Sequence, residues 1–138
     1  MVSLIDTNVL VRFLVNDNEE QYQKSQEIIA RIETGASSVE LLSEVIMEVL
    51  FVMTKYYGAD LGSVASDIKT ILAFYGVVNR NKHILIVALD IMVEKKIDYV
   101  DALICAKKRL EGYEWISFDQ DLQKHCPQGG YYGQRALF

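Results

Sequence analysis

Proline, cysteine and histidine are scarce in this sequence, and each scarcity excludes a class of protein. The 138 residues include one proline, two cysteines and two histidines. A single proline beside 51% hydrophobic residues excludes a disordered or proline-rich chain and favours a compact, regularly structured protein. The length is that of one ordinary domain, so we expect residues 1–138 to form a single domain.

The cysteines and histidines exclude most disulfide and zinc architectures. Cys105 and Cys126 are too few and too far apart for a disulfide framework or a four-cysteine zinc site. We interpret Cys105, which lies in an apolar helical pattern, as a small core residue, and Cys126 as a free thiol in a loop. His83 and His125 are too few for a histidine-rich zinc site, and we interpret both as surface residues.

The sequence also lacks a long hydrophobic run and an excess of basic residues. No apolar segment approaches the ~20 residues of a membrane span, and the N-terminus does not resemble a signal peptide, so we expect a cytoplasmic protein that is not inserted in a membrane. The net charge of −5 argues against a protein that coats nucleic acid through a basic stripe. It still permits an enzyme that meets phosphates through a divalent metal ion, and it leaves room for a basic protein partner.

Helical and strand patterns alternate along the chain. Apolar spacing predicts helices over residues 9–14, 19–32, 43–57, 61–74, 82–96 and 98–110, and a short helix after residue 119. Short apolar runs predict a buried strand at residues 2–5 and further strands at 36–42, 76–78, 113–118 and 136–138, with a loop at 128–133. This alternation predicts an α/β sandwich around a short, largely parallel sheet.

Four acids stand at the ends of predicted strands or inside apolar stretches. Asp6 follows the first strand and Asp119 the strand at 113–118, and ligands of open α/β sheets lie at the carboxyl ends of strands. Glu48 interrupts a helix that is apolar nearly all round and therefore predicted to be buried, and Asp101 lies in the first turn of another apolar helix. Three of the four acids also have a structural interpretation, because Asp6 (or Thr7) and Asp119 can cap a helix and Asp101 can interact favourably with a helix dipole.

Metal binding is the chemistry that would use these acids together. No pair of basic residues stands in matching apolar settings to neutralise them, and carboxylates are preferred ligands of hard cations such as Mg²⁺. One or two such ions would activate a water and stabilise the leaving oxygen of a phosphodiester. Asp98 and Asp121 are better interpreted as cap or solvent-facing acids, although either would stand near such a site.

The residues around the four acids resemble the acidic motifs of PIN domains. These motifs are DTNVL at 6–10, MEVL at 47–50, DYVDAL at 98–103 and SFDQD at 117–121. Their order and spread are similar to those of the family over nearly the whole chain, which implies a PIN-like three-layer α/β/α sandwich. The opening from Asp6 through Asp17 to Glu20 is especially similar to VapC-type toxins of toxin–antitoxin pairs.

The resemblance implies a Mg²⁺- or Mn²⁺-dependent endoribonuclease. Carried over position by position, it makes Asp6, Glu48, Asp101 and Asp119 the catalytic, metal-binding acids, and Asp6 and Asp101 the most direct ligands. Asn8 matches a position that helps to order the site, Thr7 shapes the turn after Asp6, and Ser117 stands where the family often has Thr or Ser. VapC-type toxins form homodimers and are inhibited by a cognate antitoxin, so the implied partners are RNA, an antitoxin and a second copy of the chain.

Other functions remain open at this stage. A PIN nuclease of RNA processing would carry the same acids, and a non-catalytic PIN-like module would keep the fold only to bind a partner. A phosphatase with Asp6 as an aspartyl nucleophile is disfavoured, because haloacid-dehalogenase-type enzymes have a second aspartate two residues on, where this chain has Asn8.

Overall fold

A computed structural model describes residues 1–126 of the chain. Its contacts divide the chain into two compact units, one spanning Met1–Lys82 and the other beginning at His83. Within the described residues, no helix combines the length and the hydrophobicity needed to cross a membrane. The loop predicted at residues 128–133 and the strand predicted at 136–138 lie outside the described residues.

The first unit contains a short parallel sheet. Strand β1 (Val2–Leu4) pairs in parallel with β2 (Ser38–Glu40), so that Ser3 lies opposite Val39. A single parallel bridge then joins Val39 to Val77 on the other side of β2. The α/β class and the parallel sheet predicted from the sequence are therefore confirmed, with strands shorter than expected.

Strand β1 is more exposed than the sequence predicts. Val2 is 53% and Leu4 is 64% exposed, whereas Ile5, directly after the strand, is 6% exposed. Among the described residues β1 has a hydrogen-bonded strand on one side, β2. The prediction of a buried first strand is wrong because an apolar run indicates the strand but not what covers its two faces.

Two helices follow the first strand and pack against each other. Helix α1 spans Thr7–Leu14 and α2 spans Glu19–Thr34. The side chain of Asn18 accepts a hydrogen bond from the backbone N–H of Gln21 at 3.1 Å, which satisfies one of the free donors at the start of α2. Gly35 ends α2 with a left-handed φ of 84°, the usual role of glycine after a helix.

The third helix changes its hydrogen-bonding pattern partway along. Helix α3 (Ser43–Phe51) continues into a π-helical turn (Val52–Tyr56), and α4 (Leu61–Leu72) follows after a short loop. The Thr54 hydroxyl donates a hydrogen bond to the carbonyl of Leu50 at 2.7 Å, which supplies that carbonyl with a donor at the point of change. The sequence predicted one helix here, because apolar spacing indicates a helix but not which carbonyl each N–H contacts within it.

Gly76 lies where the end of α2, strand β2 and the bridge residue Val77 meet. Its N–H donates to the carbonyl of Ile32 at 2.8 Å, and its own carbonyl accepts from the N–H of Val39 at 2.7 Å. A Cβ at this position would collide with the carbonyl oxygens of Ile32 and Ser37. Only glycine therefore permits this approach of the two backbones.

Asn79 extends the sheet with its side chain. Its Oδ1 accepts from the N–H of Leu41 at 2.8 Å, and its Nδ2 donates to the carbonyl of the same residue at 2.7 Å. Nδ2 also donates to Oδ1 of Asn81 at 3.0 Å. Because Asn79 is 8% exposed, these bonds are sheltered from water and fix the backbone that leads into α3.

The described part of the second unit is mostly helical. Helix α5 (Lys82–Lys95) begins where the first unit ends in the sequence, and α6 (Tyr99–Glu111) and α7 (Gln120–His125) follow it. Gly112 ends α6 with a left-handed φ of 71°. The strand predicted at residues 113–118 is wrong, because the described residues contain no strand that pairs with this segment. Its side chains alternate as in a strand, but the pattern does not supply a partner.

Candidate active site

Asp6 occupies the N-cap position of α1 without capping it. Its backbone is extended, with φ −87° and ψ 155°, and its carbonyl accepts from the N–H of Val9 at 3.1 Å. Its carboxylate is exposed and makes no capping hydrogen bond to the first turn of α1, all of which is described. The interpretation of Asp6 as a helix cap is therefore wrong, and α1 does not engage its side chain.

The two residues after Asp6 differ in their surroundings. Thr7 is 5% exposed, so it belongs to the interior at the start of α1. Asn8 is exposed and lines a cavity of about 210 Å³ beside α1 and α2. Arg12 and Lys24 line the same cavity. Asn8, which also lines it, follows Asp6 by two positions in the sequence.

Glu48 lies on the exposed side of α3. The buried residues of this helix are Ile46, Val49 and Leu50, whereas Met47 and Glu48 are exposed. The prediction that this helix is buried nearly all round is wrong, because several of its apolar side chains face solvent. Since α1 and α3 pack against each other, the helix that begins after Asp6 contacts the helix that holds Glu48.

In the second unit, Asp98 and Asp101 stand at the start of α6. Asp98 is the N-cap residue, and its carbonyl accepts from the N–H of Ala102 at 2.9 Å while its side chain makes no capping bond to this fully described helix. Asp101 lies in the first turn and is half-buried. The helix therefore presents two acids three residues apart at the end where the helix dipole favours negative charge.

Ser117 orders the backbone that leads into Asp119. The N–H of Asp119 donates to Oγ of Ser117 at 2.8 Å, a local turn in which a hydroxyl replaces a backbone acceptor. Asp119 is exposed and directly precedes α7, and Asp121 lies within that helix. The predicted strand is absent from the described segment, but Ser117 has a specific contact that shapes the position of Asp119.

The four predicted acids divide equally between the two units. Asp6 and Glu48 belong to the first unit, and Asp101 and Asp119 to the second. Among residues 1–126, no three histidine, cysteine, aspartate or glutamate side chains form a group that would hold a metal ion. A metal site built from these four acids therefore stays a prediction.

A network that sequence reasoning missed joins the α1–α2 connection to the π-helical turn. Asp17 Oδ1 accepts from Arg12 Nη1 at 2.6 Å, and Asp17 Oδ2 accepts from the Tyr57 hydroxyl at 2.7 Å. The Tyr57 bond, and to a smaller extent Arg12, lower the pKa of the Asp17 carboxyl, while the same bond raises the pKa of Tyr57. The partners are 40 residues apart, and no local pattern reveals such a pair.

The two cysteines form a pair. A disulfide joins Cys105 of α6 to Cys126, directly after α7, with their Cα atoms 5.8 Å apart. Cys105 is 1% exposed, which confirms the predicted core position. The prediction that Cys126 is a free thiol is wrong, because the chain between the two residues turns back and brings α7 to α6.

The PIN domain family matches the chain over residues 3–126, and the chain belongs to this family. The match, together with the mostly helical structure and its short parallel sheet, confirms the predicted PIN-like α/β/α fold. PIN domains are generally nucleases, and the matched range includes all four predicted acids. A search of curated proteins finds no match to the chain.

Proposed function

We propose that this PIN domain is a Mg²⁺- or Mn²⁺-dependent endoribonuclease that acts as the toxin of a toxin–antitoxin pair. The observation that carries the proposal is the family match over residues 3–126, a range that contains the four acids whose surroundings resemble the acidic motifs of PIN domains. The acids would be Asp6, Glu48, Asp101 and Asp119, with Asp6 and Asp101 as the most direct metal ligands.

The donor set fits a hard divalent cation. All four side chains offer carboxylate oxygens, which Mg²⁺ and Mn²⁺ prefer to sulfur or imidazole nitrogen. Asp6 suits this role because its carboxylate is exposed and makes no capping bond to α1. When bound, the ion supplies an activated water and stabilises the leaving oxygen of the phosphodiester.

The surrounding residues position the acids and the substrate. The Ser117 hydroxyl, which accepts from the N–H of Asp119, holds the backbone of that acid in a defined turn. Arg12 and Lys24 line the cavity that contains Asn8, two residues from Asp6. Arg12 is paired with Asp17 and Lys24 with Glu20, so these two side chains would offer the phosphates of an RNA strand their remaining N–H donors rather than a net positive charge.

The toxin assignment rests on the similarity of the opening segment to VapC-type toxins. It implies a cognate antitoxin that inhibits the nuclease and a homodimer as the active form. Its test is co-expression in bacterial cells. Growth should stop when the chain is expressed alone and resume when the small reading frame immediately upstream of its gene is expressed with it. Normal growth with an enzymatically active chain would remove the protein from the toxin class.

The nuclease proposal is tested with a fluorescently labelled single-stranded RNA. The purified chain should cleave it with Mg²⁺ or Mn²⁺ and not in excess EDTA. Asp6→Asn and Asp101→Asn should abolish cleavage while circular dichroism shows an unchanged fold, since each removes a proposed ligand and preserves its shape. Asp67→Asn is the matched control, because Asp67 is an exposed acid of α4 outside the four motifs, and it should retain activity.

Cleavage in excess EDTA, or undiminished cleavage by both ligand variants, would refute the proposal. Absence of cleavage by the wild-type chain on every RNA tested with both ions would instead favour a PIN-like binding module.

A further inference from the structure

The second unit contains a cavity that none of the predicted site residues lines. It has a volume of about 230 Å³ and lies between the middle of α6 and the segment that follows the helix. Its lining residues are Ile104, Lys107, Tyr113, Glu114, Trp115 and Ile116. The volume falls below the ~300 Å³ at which sites for drug-sized ligands begin, so it suits one flat ring system rather than a large molecule.

Trp115 lines this cavity and carries an unused hydrogen-bond donor. The residue is 4% exposed, and its indole Nε1–H is buried without an acceptor among the described residues. Buried tryptophan N–H groups usually have a partner, because leaving the donor unpaired away from water costs free energy. Because Nε1 is closed to solvent, a ligand acceptor in the cavity reaches this donor only after the wall of the cavity shifts.

A cation and a second aromatic ring complete the wall. The Nζ of Lys107 lies 5.2 Å from the centre of the Tyr113 ring, within the range of a cation–π interaction. The same Nζ lies 3.5 Å from a carboxylate oxygen of Glu111. These two contacts hold the ammonium group at the cavity. Because Glu111 pairs with it and Glu114 also lines the cavity, Lys107 would offer a phosphate an N–H donor rather than a net positive charge.

We propose that this cavity binds one unpaired base of a single-stranded RNA. Unpaired bases are flat, stack on aromatic side chains and are linked to phosphates, so they match the Tyr113 ring and the Lys107 ammonium group at the cavity. The inference rests on the proposed ribonuclease function and extends it to the substrate. The segment that lines the cavity leads through Ser117 to Asp119, so the cavity and a proposed catalytic acid belong to one short segment of the chain.

Trp115 is the sole tryptophan of the chain, so its fluorescence reports directly on the cavity. The wild-type chain is titrated in EDTA, which removes the metal ions that the proposed cleavage requires, with a short 2′-O-methyl oligonucleotide and with the same oligonucleotide made abasic throughout. The intact oligonucleotide should change the Trp115 emission saturably. The abasic strand, which offers the same phosphates and no bases, should bind at least about fivefold more weakly.

Two variants test the wall of the cavity, and both residues are exposed enough for substitution without loss of the fold. Tyr113→Leu removes the stacking surface, and Lys107→Gln removes the cation. Tyr113→Leu should weaken binding of the intact oligonucleotide by about fivefold or more and bring it toward that of the abasic strand. Lys107→Gln should weaken binding of both strands, since both carry the phosphates that Lys107 would contact. Arg109→Gln is the matched control, since Arg109 is an exposed cation of the same helix that does not line the cavity, and it should bind like wild type.

Equal affinity for the intact and abasic strands would overturn the inference, and so would unchanged affinity in both cavity variants. Because binding is measured without metal, this outcome is independent of cleavage. A chain that binds the intact strand through the cavity but cuts no RNA would keep this inference and refute the nuclease proposal. If the wild-type chain cuts RNA and both cavity variants cut it with the same kcat/KM, the nuclease proposal is kept and this inference is refuted.

Discussion

Replacing Asn79 with alanine should destabilise the first unit strongly, although Asn79 belongs to no motif. Its side chain satisfies both the N–H and the carbonyl of Leu41 at 2.8 and 2.7 Å, in a position that is 8% exposed. Asn79→Ala leaves these two backbone groups without partners. A buried group left unsatisfied costs about 1–3 kcal/mol, so the free energy of unfolding should fall by about 2–6 kcal/mol.

The measurement is urea unfolding followed by circular dichroism, which reports on the helices of the unit. Asn81→Ala is the control, because it removes one bond at 3.0 Å from a position that is exposed, and it should cost about 1 kcal/mol or less. Asn79→Asp keeps the shape but places a carboxylate oxygen against the Leu41 carbonyl, so its stability should recover as the pH falls and the acid is protonated.

Equal unfolding free energies for Asn79→Ala and Asn81→Ala would refute this reasoning. A strong effect would also reach the proposed site, because Leu41 leads directly into α3, the helix that holds Glu48.

Three further perturbations address other contacts. Gly76→Ala should lower the free energy of unfolding in urea by about 3 kcal/mol, because the added Cβ meets two backbone carbonyls. Gly58→Ala is the control: it has open space around it but a φ of 67°, and it should lower the free energy of unfolding by about 1 kcal/mol. Equal losses in the two variants would contradict this account. Tyr57→Phe should raise the pKa of Asp17 toward its ordinary value in an NMR titration. The pKa of Asp17 is lower in the folded protein than in the unfolded chain, so the stability that this bond adds is present above the ordinary aspartate pKa. It is lost as the pH falls through the pKa of folded Asp17. If the stability of Tyr57→Phe falls with acid as that of the wild type does, this reasoning is disproved. The disulfide joins residues 21 positions apart, and its reduction should lower the stability of the second unit of the wild type by about 3 kcal/mol, as followed by Trp115 fluorescence. The reducing agent should not change the stability of Cys126→Ser, which has no disulfide to lose. An equal response of both proteins would exclude the disulfide as the cause.

The helices of this chain were predictable because their signals are local. Apolar spacing and an ending glycine located α2 to within two residues of its observed end, Thr34. Strands were harder, because a strand requires a partner that its own residues do not specify. The runs at residues 2–5 and 113–118 look alike in sequence, yet only the first pairs among the described residues.

For the candidate site, the sequence identifies residues but not their contacts. Asp6 and Glu48 can be identified from the sequence because each acid stands beside apolar residues, a local setting that is unusual for an acid. The bonds from Tyr57 to Asp17 and from Asn79 to Leu41 span 40 and 38 residues, so they depend on how distant segments pack. The orphan donor of Trp115 likewise depends on what surrounds the ring.

The π-helical turn makes the length of α3 part of the architecture. Tyr57 directly follows this turn, and its N–H donates to the carbonyl of Val52, five residues back, at 3.2 Å. One residue fewer in the turn would rotate the following residues by about 100° around the helix axis, and the Tyr57 hydroxyl would no longer point at Asp17. The extra residue of the π-helical turn therefore sets the rotation at which α3, the helix with Glu48, presents Tyr57 to Asp17 in the α1–α2 connection. A relative with an uninterrupted α-helix here would need a different side chain to hold its acid at position 17.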